Sequence, residues 1–313
     1  MEFKKGLEKL EQNLKIIKKR KLTTFFKLYG SSLAGEWTLF CALDPLSDVL
    51  LKFFFKDCFL KISTTDSAFF VCCLIVVVVM SLIACIAYLY EPWFVEFTIL
   101  NKKTTLRIEF GNIWEKKIIA VGVNNFFDTC LKYGVINPSS LHGQLIRDIL
   151  NGDCSKFDNA VSQLREKPTT VPNRKDTPDK DLENKKNKYD IGTTAILRHN
   201  DKTYACTVIS EMPYNSFSAE SSSEKIFIAT KKMLNEVRGI CGNEEIALPI
   251  WGTGLARCCL DEKQMIEVLL AAIMETSNNL IVSKKITIVI YKPLYGTINL
   301  EELKKKWGEN GVS

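Results

Sequence analysis

Histidine is scarce in this sequence, since His142 and His199 are the only two in 313 residues. The 11 cysteines include no Cys-x-x-Cys pair, and Cys72, Cys73 and Cys85 lie within one apolar run. Structural zinc sites need Cys and His ligands at recognisable spacings, so we predict no metal site. Cysteines without such a pattern are more typical of a reducing compartment than of a disulfide scaffold.

Patterns for two common kinds of chemistry are also missing. We identify no Ser–His–Asp arrangement and no paired-carboxylate motif, so we assign no catalytic residue and no cofactor. The basic residues cluster near the N-terminus and in a proline-rich segment instead of alternating with aromatics, which argues against a nucleic-acid partner. A chain of this length has room for one large domain or two modest ones.

The N-terminal segment carries most of the charge imbalance. Residues 1–28 hold nine Lys or Arg and three Glu, a balance of +6 that equals the net charge of the whole chain. Leu7, Leu10, Leu14 and Ile17 share one face of a predicted helix. This pattern predicts a basic amphipathic cytoplasmic segment at an anionic membrane surface, with a short coiled coil and a simple solvated helix as alternatives.

Two apolar runs predict a transmembrane region over residues 22–90. Residues 67–90 carry no charge and as a helix would extend ~36 Å, enough for a hydrocarbon core of ~30 Å. Residues 22–43 contain Lys27 and Glu36 and predict a weaker span, with a helix at the membrane surface as the alternative. The loop at 44–66 has four Asp and three Lys, so the basic N-terminus is expected inside. We therefore expect a multi-pass inner-membrane hairpin with both termini and the later domain cytoplasmic.

From residue 101 to residue 313 the pattern is that of an α/β domain. Predicted strands cover residues 104–110, 118–123, 193–198, 203–210, 246–250 and 286–291. Predicted helices cover residues 140–150 and 219–240, and two further helices begin at Asp261 and Asn299. His199-Asn200-Asp201 is a hairpin signal. Residues 165–188, with three prolines and few bulky apolar residues, predict a mobile surface loop. Alternating strands and helices indicate a mixed sheet covered on both faces.

The strand predicted at 246–250 leads into Trp251 and then Gly252-Thr253-Gly254, with Arg257 close behind. Glycine adopts positive φ without steric cost, and successive bare N–H groups form a concave site suited to phosphate. Arg257 is available for a charge-assisted contact. A plain strand–helix connection is the alternative interpretation.

Three segments in this order resemble a macro domain, which is an ADP-ribose-binding three-layer α/β/α module. They are Phe110-Gly111-Asn112-Ile113, Val121-Gly122-Val123-Asn124-Asn125 and Gly252-Thr253-Gly254. The motifs at 124–129 and 140–144, with the basic N-terminus and the predicted hairpin, resemble more narrowly the membrane-anchored macro-domain effectors of Thoeris antiphage defence. The resemblance covers nearly the whole chain.

The resemblance implies roles for individual residues. Asn112 stands where macro domains usually place an aspartate that hydrogen-bonds the adenine amino group, and its carbonyl oxygen still accepts. Asn124 would face the distal ribose, His142 and Gln144 would contact polar groups of the ligand, and the Gly-Thr-Gly segment would hold the diphosphate. The implied ligand-binding set is Asn112, Asn124, Asn125, Asp128, Thr129, Ser140, Leu141, His142, Gly143, Gln144, Gly252, Thr253, Gly254, Leu255, Ala256 and Arg257.

Without the resemblance these residues have ordinary interpretations. Asn112 and Asn124 are typical turn residues after strands. His142 is a surface or capping residue, and Asp128 with Thr129 begins a helix.

The resemblance also implies a function. A TIR-domain partner converts NAD into an ADP-ribose-derived signal, suspected to be histidine-ADP-ribose, which the macro domain binds. The chains then form a homo-oligomer in the lipid bilayer and disrupt the membrane, which gives abortive infection. We expect no enzymatic activity, because the Asn-Ala-Ala-Asn and Gly-Gly-Gly patterns of macro-type hydrolases are absent. The alternatives are a membrane-tethered ADP-ribosyl hydrolase or ADP-ribose reader, and a structural membrane protein that docks a protein partner.

Overall fold

The computed structural model describes residues 30, 75–76, 78–83, 92–99, 103–175, 185–242, 244–252, 258, 260–279 and 281–308. The chain divides into two compact units, Met1–Glu91 and Pro92–Ser313. In the first unit the described residues are helical. The predicted amphipathic segment at 1–28 lies outside the described residues, as do nearly all of 22–43 and most of 67–90.

The predicted localisation in the inner membrane as a multi-pass protein is wrong. Among the residues that the structure describes, no helix is long and apolar enough to cross a membrane. A crossing needs about 20 consecutive, mostly apolar residues in one helix. The predicted hairpin therefore has no support.

The second unit is built around a mixed sheet. The strands of this unit are β1 (Phe94–Thr98), β2 (Thr105–Gly111), β3 (Ile118–Asn124), β4 (Thr169–Thr170), β5 (Asn187–Lys188), β6 (Thr194–His199), β7 (Lys202–Ser210), β8 (Ile246–Pro249) and β9 (Lys285–Tyr291). Within the described residues the main sheet has seven strands in the order β1-β2-β9-β8-β3-β7-β6, and β4 pairs with β5.

Four helices lie between these strands along the chain, and a fifth follows the last strand. They are α1 (Leu141–Gln144), which a π-helical turn (Leu145–Ile149) continues, α2 (Ser155–Ser162), α3 (Ser223–Arg238), α4 (Glu262–Asn279) and α5 (Leu300–Gly308). Short 3-10 helices follow β2 (Ile113–Glu115) and β9 (Lys292–Leu294).

The five central strands run parallel, and the two edge strands are antiparallel to their neighbours. β2 pairs with β9, β9 with β8, β8 with β3 and β3 with β7 in parallel, whereas β1 and β6 pair antiparallel with β2 and β7. The carboxyl ends of the five parallel strands therefore meet at one edge of the sheet, where ligands bind in open α/β sheets.

Side-chain alternation along the strands builds one core on each face of the sheet. Leu106 and Ile108 of β2 pack in a buried cluster with residues of α3, α4 and α5, such as Met233, Leu269 and Leu303. On the opposite face, β3 supplies Ile119, Val121 and Val123 to a second cluster with Leu145 and Phe157. Helices cover both faces, which confirms the predicted macro-domain-like α/β fold with a mixed sheet.

The last two helices begin where the sequence predicts. The Asp261 N–H donates to Gln264 Oε1 at 3.0 Å, and the Gln264 N–H donates to Asp261 Oδ1 at 2.7 Å. This reciprocal pair is a capping box. Before α5, Asn299 Oδ1 accepts from the Glu302 N–H at 3.1 Å.

The segment at 165–188 differs in part from a simple surface loop. Its ends pair as the β4/β5 ribbon, with Thr169 opposite Lys188. Arg174 is only 2% exposed, so this segment reaches into the interior of the domain. Residues 176–184 lie outside the described residues.

Candidate functional site

Three of the predicted ligand-binding residues follow parallel strands at the same edge of the sheet. Asn112 comes directly after β2, Asn124 ends β3, and Gly252 follows β8 after two further residues. Because β9 lies between β2 and β8, and β8 is next to β3, the three positions lie along this edge in the order Asn112, Gly252, Asn124.

Asn112 is exposed and caps the 3-10 helix after β2. Its Oδ1 accepts a hydrogen bond from the Trp114 N–H at 3.2 Å. This contact uses one of the two lone pairs of the carbonyl oxygen and leaves the side-chain amide N–H groups available. The adenine contact of Asn112 stays a prediction.

Asn124 is buried and closes the turn after β3. Its Oδ1 accepts from the N–H groups of Phe126 at 3.1 Å and Asp128 at 3.3 Å, and its Nδ2 donates to Asp128 Oδ2 at 2.9 Å. Within this turn Phe127 has φ +50°, a left-handed conformation that bulky residues rarely adopt. The side chain of Asn124 thus holds a strained turn in place.

Asp128 does not begin a helix, contrary to the ordinary interpretation of this position. It forms a bidentate ion pair with Arg174, whose Nη1 and Nη2 donate to Asp128 Oδ1 at 2.8 Å and Oδ2 at 2.5 Å. The Asp128 and Arg174 side chains are 3% and 1% exposed. The Arg174 guanidinium also lies 3.7 Å from the centre of the Phe126 ring. Such paired geometry is the strongest form of a charge-assisted hydrogen bond.

Arg174 is a site residue that sequence reasoning missed. It stands in a stretch with eight basic and five acidic residues, where a single arginine has no distinguishing pattern. Only its tertiary contacts separate it from its neighbours.

Asn125 joins the ends of β3 and β7. Its Oδ1 accepts from the Met212 N–H at 2.9 Å, and its backbone N–H donates to the Ser210 carbonyl at 3.0 Å. Its Nδ2 is buried without a hydrogen-bond partner in the part of the chain that the structure describes. The neighbouring Thr129 hydrogen-bonds the thiol of Cys154, whose pKa is raised mainly by burial.

The predicted segment from Ser140 to Gln144 forms a tight helical start. Ser140 Oγ accepts from the Gly143 N–H at 3.0 Å and donates to the Asn137 carbonyl at 2.7 Å. A Cβ atom on Gly143 would lie 2.2 Å from the Asn137 carbonyl oxygen and 2.7 Å from Pro138 Cα, so only glycine fits. The side chain of Leu141 is half-buried.

Gln144 connects this segment to the turn after β2. Its Oε1 accepts from Trp114 Nε1 at 2.9 Å, and its Nε2 donates to the Ser139 carbonyl at 2.9 Å. The side chain amide is therefore engaged within the protein at both ends.

His142 is part of the core and not a surface residue. It is 5% exposed and stacks on Phe157 with ring centres 5.5 Å apart. Burial, with a smaller contribution from the positive charge of Lys185, lowers its pKa from 6.5 to about 3. His142 is thus a neutral imidazole at physiological pH, and its Nε2 has no hydrogen-bond partner among the described residues.

Gly252 is buried and has φ +83°, the left-handed conformation expected of a glycine-rich turn. A Cβ atom there would lie 3.1 Å from Met265 Cε and 3.2 Å from Cys258 Sγ. Thr253, Gly254, Leu255, Ala256 and Arg257 lie outside the described residues. Diphosphate binding by this segment stays a prediction.

A polar cavity of about 410 Å³ is lined in part by Asn112. Part of its charged lining is paired: Lys116 Nζ lies 2.7 Å from Glu109 Oε1 and 3.1 Å from Glu245 Oε1. Burial acts to raise the pKa of Glu245, but hydrogen bonds from Thr287 and Lys116 hold it below its ordinary value. This cluster is missed by sequence reasoning because its members come from separate segments of the chain: Glu109 from β2, Lys116 from the turn after the 3-10 helix and Glu245 from just before β8. The described residues contain no group of three or more metal-binding side chains.

Several solved structures match this chain in the structural comparison. A mutant macrodomain of Oceanobacillus iheyensis is 14% identical, with a TM-score of 0.39, and the match covers 68% of this chain and 97% of that chain. The Trypanosoma brucei macrodomain in complex with ADP-ribose is 9% identical, with a TM-score of 0.38 and coverage of 69% and 75%. Thermosipho africanus DarTG in complex with ADP-ribose is 12% identical, with a TM-score of 0.37 and coverage of 63% and 43%.

The comparison with curated proteins gives no match. The comparison with protein families matches residues 106–291 to the family described as Thoeris protein ThsA, Macro domain. This region contains β2, β3, β8 and β9 and the three strand-end positions of the candidate site. Since the match spans more than half of the 313 residues, the chain belongs to the family of Thoeris ThsA macro-domain proteins.

Proposed function

We propose that this protein is a signal reader whose macro domain binds an ADP-ribose-derived nucleotide at the carboxyl edge of its parallel strands. The observation that carries the proposal is the family match over residues 106–291, which contains Asn112, Asn124 and Gly252 at one edge of the sheet. An open α/β sheet binds ligands at this edge, where strand-end loops diverge.

The chemistry of the three positions suits different parts of such a ligand. Asn112 is exposed and retains hydrogen-bonding capacity for a base. Gly252 has positive φ, as glycines do in the turns whose backbone N–H groups bind phosphate oxygens. Asn124 lies between the ends of β8 and β7 and is fixed by its contacts with Asp128; in the proposal it faces the distal ribose.

The proposal is binding without turnover. A hydrolase needs a group that accepts a proton from a bound water. Asp128 is held by Arg174 in a buried ion pair, and His142 is buried and stacked on Phe157. Both side chains are engaged in the interior and are not available as that proton acceptor, which favours binding without turnover.

In this proposal the signal is made from NAD by a TIR-domain partner, and histidine-ADP-ribose is the suspected form. Binding shifts the protein towards a homo-oligomer. Ligand can drive that shift only if the assembled state holds it more tightly, and a change from 1:99 to 99:1 needs about 10⁴-fold tighter binding. The proposal contains no membrane step, because no described helix could cross a membrane.

Calorimetric titration of the full-length protein with ADP-ribose and with histidine-ADP-ribose tests the proposal. We expect saturable binding, tighter for the conjugate, and no new product by chromatography after prolonged incubation. Asn112→Ala should weaken binding about fivefold or more, the equivalent of losing one ~1 kcal/mol hydrogen bond. Asn159→Ala, which removes an exposed asparagine from α2, is the matched control and should bind as the wild type does.

Two results would contradict the proposal. If the folded protein binds neither compound, the nucleotide has no role here. If it releases free ADP-ribose from the conjugate at a steady rate, the protein is an enzyme. Sedimentation velocity with and without ligand separately tests the homo-oligomer.

A further inference from the structure

Arg174 stands at the start of a chain of contacts that ends at Asn124. The Arg174 guanidinium binds both carboxylate oxygens of Asp128, and Asp128 Oδ2 also accepts from Asn124 Nδ2 at 2.9 Å. The Asp128 N–H in turn donates to Asn124 Oδ1 at 3.3 Å. The orientation of the Asn124 side chain therefore depends on a carboxylate that Arg174 holds in place.

The turn between Asn124 and Asp128 needs this support. Phe127 at its centre is fully buried with φ +50°, and such strain persists only where the surroundings fix the backbone. If Arg174 is removed, the Asp128 carboxylate is left buried without a counter-ion, which is strongly unfavourable. The carboxyl group must then take up a proton or turn towards water, and either change alters its contact with Asn124.

Arg174 is itself held from several sides. Its guanidinium stacks on the ring of Phe126 at 3.7 Å, and its Nη2 lies 3.2 Å from Met212 Sδ. In the same segment the Lys175 N–H donates to the Tyr214 carbonyl at 2.6 Å, and Lys185 Nζ donates to the Phe127 carbonyl at 2.7 Å. The segment around the β4/β5 ribbon is thus fastened across the ends of both β3 and β7.

We infer that Arg174 is a positioning residue for ligand binding, which acts through Asp128 to orient Asn124 at the carboxyl edge of β3. This inference rests on the proposed function, because the ligand whose affinity it sets is the ADP-ribose derivative. Arg174 itself is only 2% exposed, so it acts through Asp128 and not by contact with the ligand. A side chain that is already held in its binding orientation loses less freedom when the ligand binds, so the contacts that fix Asn124 have a measurable effect on affinity.

The competing explanation is that the ion pair only stabilises the fold. A double variant that removes both charges distinguishes this explanation from a positioning role. Arg174→Met combined with Asp128→Asn removes both charges and leaves side chains of similar size, so no buried charge remains unpaired. The full-length double variant should melt within about 4 °C of the wild type, a shift of the size given by ~1 kcal/mol. Arg174→Lys keeps the charge but not the bidentate geometry.

Affinity for ADP-ribose is then measured by calorimetry on the wild type, both variants and Arg238→Met. Arg238→Met removes an exposed arginine at the end of α3 and is the matched control. We expect the double variant to bind about tenfold more weakly or worse in spite of its recovered stability, Arg174→Lys to be intermediate, and the control to be unchanged. A double variant that binds as tightly as the wild type overturns the inference.

Hydrogen–deuterium exchange of peptides covering residues 120–130 gives a second readout that needs no ligand. The N–H groups of Phe126 and Asp128 are bonded to Asn124 Oδ1, so we expect faster exchange in both Arg174 variants and no change in Arg238→Met. Unchanged exchange in the double variant overturns the inference. If the wild type binds no ADP-ribose, the proposed function fails, and the exchange data alone decide whether Arg174 holds this turn.

Discussion

Asp128 and Arg174 lie 46 positions apart in the sequence and form a bidentate ion pair with both side chains almost completely buried. Asp128 follows a central strand of the sheet, whereas Arg174 belongs to a charged, proline-rich segment between α2 and β6. The pair therefore fastens that segment to the strand end where the candidate site lies.

Removal of one partner of this pair should destabilise the protein far more than removal of both charges. Arg174→Met alone should lower the free energy of unfolding by about 3–5 kcal/mol, because the Asp128 carboxylate stays buried without its partner. The double variant with Asp128→Asn should regain most of this loss. Urea unfolding of the wild type, the two single variants Arg174→Met and Asp128→Asn, and the double variant gives the coupling energy between the two side chains. Additive losses would show that the two side chains do not depend on each other.

Gly143→Ala should destabilise the protein although glycine-to-alanine changes in helices usually stabilise. The new Cβ would lie 2.2 Å from the Asn137 carbonyl oxygen, and relief of such overlap typically costs about 1–3 kcal/mol. Gly239→Ala is the matched control, since Gly239 has φ −72° and open space around its Cα. It should be neutral or stabilising by up to ~1 kcal/mol. Thermal unfolding of both variants checks the difference in sign.

Gly252→Ala should weaken ligand binding as well as stability. Alanine at φ +83° is strained, and its Cβ would press on Met265 and Cys258. Gly134→Ala shares the left-handed strain, with φ +75°, but meets no atom within 4 Å. Each change should cost about 1 kcal/mol from backbone strain, and only Gly252→Ala should add crowding and weaken ADP-ribose binding. Equal affinity in the two variants would remove Gly252 from the site.

The pH dependence of stability should reveal the buried imidazole of His142. Its pKa is about 3 in the folded protein against 6.5 ordinarily, so below pH 6.5 the unfolded chain binds a proton that the folded chain does not. Stability from this group is fully present above pH 6.5 and falls by up to about 1.4 kcal/mol per pH unit as the pH drops towards 3.

His142→Phe removes the titrating group and retains an aromatic ring against Phe157. The free energy of unfolding of this variant, measured by urea titration from pH 7 to pH 4, should fall less steeply than that of the wild type. Parallel curves would mean that His142 is protonated equally in the folded and unfolded states.

Local patterns gave correct predictions where contacts are close in sequence. The hairpin at His199-Asn200-Asp201 forms between β6 and β7, and Asp261 and Gln264 form a capping box. Both depend on groups three or four positions apart, so the residue types carry the information. The predicted membrane localisation is wrong, because no helix among the described residues is long and apolar enough to cross a membrane, and most of residues 67–90, on which it depended, lie outside those residues.

Alone, the sequence determined six of the seven strands of the main sheet, the longer helices and the turn residues at the strand ends, but it did not predict β1 or α2. These features follow from periodicity and from the backbone preferences of Gly, Asn and Asp, which act over a few residues. Only the tertiary structure decided that Arg174 is paired with Asp128, that His142 is a neutral core residue and that Gln144 binds Trp114. Gln144 and Trp114 are 30 positions apart, and Asp128 and Arg174 are 46 positions apart. The sheet brings such distant segments together and decides which side chains are buried, and no local sequence pattern encodes these contacts.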